Sequence, residues 1–380
     1  MHDSHSYRGL PVETNTDPKP PAVAVRPGKE LEPSSPKGTR TFNPDRAIVS
    51  GERNLPTGLW DYEVNRAIDG FLPDSVTDGF ALATHLGDTA VVAGLVVGFY
   101  WLGSADNWRR RGLVVAVAVA ALTLNIGLKG VLDVQRPLYA ARAAGDPLVF
   151  APANYDGFST PSGHAMGAAA VYGGLAALSD IGTRRRRALV AGGIIAAVAF
   201  SRVVIGVHYV GDVVLGVALG LGLVWVGHRL LIRGRRPVSL VLLLALAGAV
   251  LAAPLGSETH AAASIGTAAG GLAVWEFVRD RRPDPSGGAV LLCVLAVATA
   301  LLAAVVADTL LAVDLVATVG GNSPLSGALR ATLSIVAVGF VLALPIFAEL
   351  LDDDPRARWL QRTLPFAVDT SDEQVGSGSD

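Results

Sequence analysis

Cysteine and lysine are nearly absent from this chain of 380 residues, and charge of either sign is sparse. The one cysteine, Cys293, excludes a disulfide framework and any multi-cysteine metal site; inside an apolar run it reads as a small hydrophobe packed in a helix. Charged residues make up 17% of the chain, where soluble domains carry about a quarter. The 31 basic residues are matched by 33 acidic ones, which excludes a nucleic-acid binder on bulk charge. What fills the space is hydrophobic, 51% of all residues. This composition implies a polytopic membrane protein, an all-α bundle of membrane helices.

The scarcity of lysine is itself informative. Lys19, Lys29 and Lys37 lie in a polar N-terminal stretch, so Lys129 is the only lysine of the membrane portion. It ends an apolar run, where a charge costs several kcal/mol unless it is paired or hydrated. A lysine kept there points to function.

Residues 1–58 are rich in proline, serine, threonine and charge without periodicity, and they read as a disordered polar tail. No apolar core follows the start, so no signal peptide is expected. Residues 60–80 place Trp60, Val64, Ile68 and Phe71 at helical spacing, which predicts one amphipathic helix on the membrane surface. Nine apolar runs follow, at 83–103, 112–132, 165–180, 188–205, 209–232, 238–255, 261–279, 288–313 and 330–350. Each approaches the ~20 residues needed to cross the hydrocarbon core. The expected organisation is a core over 59–236 with about five to six helices, about four extra spans over 237–351, and a tail over 352–380. Arginine clusters at 109–111, 184–187, 229–236, 279–282 and 356–362 follow every odd-numbered span. By the positive-inside rule those ends and the C-terminus are cytoplasmic, and the intervening loops face outside.

Three segments on that outer side carry chemistry. KGVLDVQRP holds Lys129 and Arg136, seven residues apart and so on nearly one face if helical. PSGH places Ser162, Gly163 and His164 at the start of a span. SRVVIGVHYVGD contains Arg202, then His208 and Asp212 at a spacing of four, which pairs side chains on a helix. Three cations suit the oxygens of a phosphate, and the amides of a helix start add to the same anion site. A carboxylate on one ring nitrogen of His208 would fix its tautomer and leave the other nitrogen nucleophilic, while His164 could protonate a leaving oxygen. His164 has no carboxylate near it in sequence. Each residue alone is explained by snorkelling or capping; their convergence on the base-poor side is not.

These three segments resemble the signature motifs of the type 2 phosphatidic acid phosphatase family, related to the vanadium-dependent haloperoxidases. The resemblance covers roughly residues 60–232. It implies that Lys129, Arg136, Ser162, Gly163 and Arg202 hold the phosphate, and that His208, oriented by Asp212, forms a phosphohistidine. His164 would then protonate the leaving group and activate water. No metal and no cofactor are implied. The family core commonly has six membrane helices; five strong spans are visible here, with the segment at 60–80 standing in for the first.

The expected function is therefore an integral-membrane phosphatase acting on a lipid phosphate monoester or polyprenyl diphosphate at the outer leaflet. Alternatives are phosphotransfer to an acceptor alcohol from the same intermediate, haloperoxidase chemistry, or a non-catalytic membrane binding or transport protein. Membrane lipids are its partners, nucleic acid is not. The four extra spans have three uses, packing on the core, lining a lateral entrance, or forming a homo-oligomer, and the sequence does not choose among them.

Overall fold

A computed structural model describes residues 58–363 apart from 104, 146–147, 149–156, 256–257 and 312–323. The polar tail expected at 1–58 therefore lies almost wholly outside the described residues. So do Phe150 and Tyr155 of the loop between the first two motifs, most of the loop at 314–329, and the tail beyond 363.

The described residues form an all-α bundle. Two short helices, α1 (Glu63–Phe71) and α2 (Asp74–Ala83), precede a 3-10 turn (Thr84–Gly87) and α3 (Thr89–Trp101). Then come α4 (Trp108–Leu132), the short α5 (Pro137–Ala143), α6 (Gly163–Leu178), α7 (Arg184–Val204) and α8 (Val210–Ile232). The remainder is α9 (Pro237–Ala252), α10 (Glu258–Val278), α11 (Gly287–Leu311), α12 (Pro324–Glu349) and the short α13 (Pro355–Thr363). Every expected span has its helix. Five helical segments are long and apolar enough to cross a membrane alone, and a bent pair makes a sixth. The protein is a polytopic membrane bundle.

Two expectations need correction. Residues 60–80 are not one surface helix. Proline at 73 cannot donate a backbone N–H and pushes Leu72 into extended backbone, so the segment splits into α1 and α2. Nor does α1 simply rest on the surface, because Asn65 on it is buried while Phe71 points outward. The first span is also not continuous over 83–103: it breaks at Asp88, whose backbone is extended, and the helical pieces either side meet at 44°.

α4 is the axis of the bundle, buried almost without interruption from Arg111 to Ala121. Its run of valine and alanine leaves no polar face because neighbours surround it. α6 and α8 cross unusually closely, and glycine is the reason. A Cβ on Gly216 would lie 2.8 Å from the Ser162 carbonyl oxygen, and one on Gly220 2.8 Å from Ala169 Cβ. Without side chains at these points the backbones approach as small residues permit in lipid.

The arginine clusters gather at one end. An Arg109 amino group donates to the Arg235 carbonyl at 2.9 Å, and Arg110 pairs with Asp180 at 2.9 Å. Glu276 lies 3.8 Å from Arg236 and 3.1 Å from Arg279, and the Asp284 amide donates to Glu349. The alternation read from the sequence is thus an alternation in space.

Substitution separates packing glycines from lipid-facing ones. Gly220→Leu would force α6 and α8 apart and should cost about 1–3 kcal/mol. A Cβ at Gly222, two residues on, meets nothing within 4 Å, so Gly222→Leu should be neutral. Thermal unfolding in detergent is expected to show a clear loss for the first variant only.

Candidate active site

At the end opposite the arginine clusters, the chain brings three separate segments onto one carboxylate. Asp212 sits in the first turn of α8 and is fully buried. Its Oδ1 accepts from Trp60 Nε1 at 3.0 Å and from the Thr160 hydroxyl. Its Oδ2 accepts from the Ser159 hydroxyl, from the Tyr209 amide at 2.9 Å and from His208 Nδ1 at 3.2 Å. The Asp212 carbonyl takes the Ser162 amide at 3.0 Å. A buried charge is tolerated only when it is satisfied in this way.

His208 is held on every side. Its amide donates to the Arg202 carbonyl at 3.2 Å and its carbonyl accepts from Asn65 Nδ2 at 3.0 Å. An Arg136 amino group lies 3.2 Å from His208 Nε2. Arginine is always a donor, so Nε2 must carry the lone pair, and the ring proton sits on Nδ1 facing Asp212. Burial holds the His208 pKa well below the ordinary histidine range; Asp212 opposes this and the Arg136 charge reinforces it. The ring is neutral at neutral pH, with one nitrogen oriented and the other available.

The cationic residues surround this imidazole. Arg136 is fixed by the Gly157 carbonyl at 2.9 Å and the Val207 carbonyl at 3.0 Å, and Arg202 by the Thr84 hydroxyl at 2.7 Å. Lys129 lies in the last turn of α4, within electrostatic range of Arg136, Arg202 and Asp212. With Gly163 and His164 it lines one cavity. Ser162 precedes α6, as expected, but its hydroxyl does not cap the helix; it is buried and finds no hydrogen-bond partner among the described residues. Gly163 is hemmed in, since a Cβ there would lie 3.0 Å from Asn125 Oδ1, and Asn125 itself donates to the Pro161 carbonyl at 3.0 Å.

His164 has a partner that its sequence neighbourhood conceals. Its Nε2 lies 2.8 Å from Asp88 Oδ1, and the other oxygen of Asp88 is 2.7 Å from His85 Nδ1. The break in the first span is what turns Asp88 toward α6. That carboxylate lies 76 residues away in the chain, so spacing alone does not show it.

All eight motif residues assemble at one place, though two routes differ from expectation. Lys129 and Arg136 do not share a helix face: α4 ends at Leu132, Asp133 adopts a left-handed conformation, and the chain runs extended to Arg136. His208 and Asp212 do not pair as neighbours within a helix either. α8 begins at Val210, and Asp212 reaches back over the helix start to both Tyr209 and His208. The reading of the motifs missed Trp60, Asn65, Thr84, Asp88, Asn125, Ser159 and Thr160. A signal existed for two of them. Asp88 is the only acidic residue of the run 83–103, and Asn125 is a polar interruption of 112–132.

The segment that carries the motifs has counterparts among known proteins. Residues 111–236 match the family model described as the PAP2 superfamily. Over 148 residues the chain is 34% identical to phosphatidylglycerophosphatase B of Bacillus subtilis, an alignment covering 36% of this chain and 66% of that relative, just short of two thirds of its length. A solved structure, described as the first transmembrane PAP2 type phosphatidylglycerolphosphate phosphatase from Bacillus subtilis, is 28% identical. It covers 46% of this chain and 83% of its own, with a TM-score of 0.36. Residues 111–236, which carry all three motifs and make up about a third of the chain, are thus similar to the PAP2 superfamily of type 2 phosphatidic acid phosphatases.

Proposed function

We propose that the protein is a membrane lipid phosphatase that works through a phosphohistidine. The observation that carries this reading is His208: a neutral imidazole, oriented through Nδ1 by a buried carboxylate, with its Nε2 lone pair presented among Arg136, Arg202 and Lys129. That arrangement suits in-line attack on phosphorus, because the nucleophile needs no deprotonation and the fixed cations meet charge on the phosphoryl oxygens. The relative's printed name supports phosphatidylglycerol phosphate as one substrate to test, beside phosphatidate and polyprenyl phosphates.

In the first step Nε2 of His208 bonds to phosphorus as the bond to the leaving oxygen breaks. Arg136 moves its donor from Nε2 to a phosphoryl oxygen, and the Ser162 hydroxyl and Gly163 amide supply further donors. His164, charged to imidazolium when the phosphate dianion enters beside it and held through Nε2 by Asp88, gives its Nδ1 proton to the departing alkoxide. It then takes a proton from the water that attacks the phosphohistidine, which releases phosphate and restores His208. Phosphate charge is met by side chains and amides throughout, so no metal enters the scheme. Asp88 and Asp212 act as positioning residues.

The leaving group separates the roles. His208→Ala is expected to abolish hydrolysis of every substrate. His164→Ala should lose about 10²–10⁴-fold on an alkyl phosphate but recover partly on p-nitrophenyl phosphate, whose leaving group needs little protonation. Asp88→Asn should show the same signature in weaker form, and Asp212→Asn should fall between the two histidine variants on both substrates. Steady-state assays of purified protein, run in EDTA, check this. Activity that disappears in EDTA and returns with Mg²⁺, or retention of p-nitrophenyl phosphatase activity by His208→Ala but not His164→Ala, would contradict the scheme.

The site lies at the bundle end away from the arginine clusters, and the positive-inside rule makes that end extracytoplasmic and the C-terminus cytoplasmic. In a Cys293→Ala background, Ala144→Cys should react with an impermeant thiol reagent on intact cells. Ile181→Cys, 79% exposed at the other end, should react only after lysis. Reversed labelling would invert the orientation.

A further inference from the structure

The cavity lined by Lys129, Gly163 and His164 does not stop at the polar cluster. It has a volume of about 440 Å³, within the ~300–1,000 Å³ range of sites that hold a small ligand. Away from its polar end its walls are short apolar side chains. Some come from α3, α4 and α6, which flank the site. The others are Ala337, Val338 and Val341 of α12. Those three residues lie outside the matched segment 111–236, a hundred residues beyond its end.

α12 is fastened at this level. Pro345 lies inside the helix and has no N–H, so the Val341 carbonyl four residues earlier loses its helical donor. Trp101 Nε1 donates to that carbonyl at 2.8 Å, and the Tyr100 hydroxyl donates to the Leu342 carbonyl at 3.0 Å. From the other side, a Cβ on Gly270 would lie 2.8 Å from Ile335 Cα, so α10 packs against the α12 backbone. The helix that closes the cavity is thus fixed in place by two neighbours.

We propose that α12 is a specificity-determining wall for the hydrophobic tail of the substrate. The cavity is polar at the end bearing Asn125, Lys129 and His164 and apolar elsewhere, which matches an amphiphile with an anionic head and a hydrocarbon body. The head meets Lys129 and the arginines, and the tail runs between α3, α4 and α12, where Ala337, Val338 and Val341 limit its cross-section. This inference rests on the lipid-phosphatase reading above.

Full-length protein in mixed micelles would be assayed on dioctanoyl phosphatidate, dipalmitoyl phosphatidate and p-nitrophenyl phosphate. Ala337→Phe fills the slot, and the control Val336→Phe places the same side chain at a residue of α12 that does not line it. Ala337→Phe is expected to lower kcat/KM for dipalmitoyl phosphatidate about tenfold or more, with dioctanoyl phosphatidate less affected and p-nitrophenyl phosphate unchanged. Val336→Phe should change none of the three. Val341→Ala, which widens the slot, gives a second measure should Ala337→Phe fail to fold: it should raise turnover of methyl-branched diphytanoyl phosphatidate relative to dipalmitoyl. An unchanged ratio of long to short chains, an equal loss on all three substrates by folded Ala337→Phe, or no shift toward branched tails would overturn the role of α12. A wild-type protein that hydrolyses no lipid phosphate would instead overturn the lipid-phosphatase reading, and this inference with it.

Discussion

The Asp212 carboxylate is the interaction on which the rest of the site depends. It receives Trp60 from ahead of α1, Ser159 and Thr160 from ahead of α6, and Tyr209 and His208 from the link between α7 and α8. These segments are separated by up to 152 residues in the chain. One buried charge therefore gathers them, orients His208, and sets the position of the α6 start through the Ser162 amide. Breaking a buried, hydrogen-bonded charge network by removing one partner costs about 3–5 kcal/mol, so Asp212 holds the fold together as well as orienting His208.

The bilayer supplies the second constraint. Five arginine clusters, each at the same end of its helix pair, hold one end of the bundle in water, while glycine contacts between α6 and α8 set the spacing at the other. The Ser162 carbonyl lies over Gly216, so the helix start that presents Gly163 and His164 is positioned by an absent side chain. A larger residue at Gly220 would move the site without touching it, and one at Gly216 would meet Ser162 itself.

Much of this was legible in the sequence, and the reasons for the remainder are physical. The helices of the apolar runs, the alternation of arginine and the positions of the eight motif residues follow from hydropathy and spacing, which are local. Tertiary partners are not: nothing near Trp60 announces that its indole will meet Asp212. Asn65, Ser159 and Thr160 are of the same kind, ordinary polar residues until the chain folds. Asp88 is the instructive miss, since an acidic residue inside an apolar run already calls for a partner. The His208–Asp212 pair was expected for a within-helix reason and formed instead by a reach over the helix start. The link from Lys129 to Arg136 was expected as helix and formed as a left-handed turn at Asp133 followed by extended chain.

The central claim is that phosphorus passes through Nε2 of His208. Rapid quenching of the purified protein with radiolabelled phosphatidate, followed by peptide mapping, tests it directly. The account predicts a transient acid-labile, alkali-stable phosphoryl group on the peptide bearing His208; with radiolabelled p-nitrophenyl phosphate, whose leaving group needs little protonation, it should accumulate further in His164→Ala, where water activation is impaired. Label on the peptide bearing His164, or burst-free turnover with no phosphoenzyme in either protein, would contradict it.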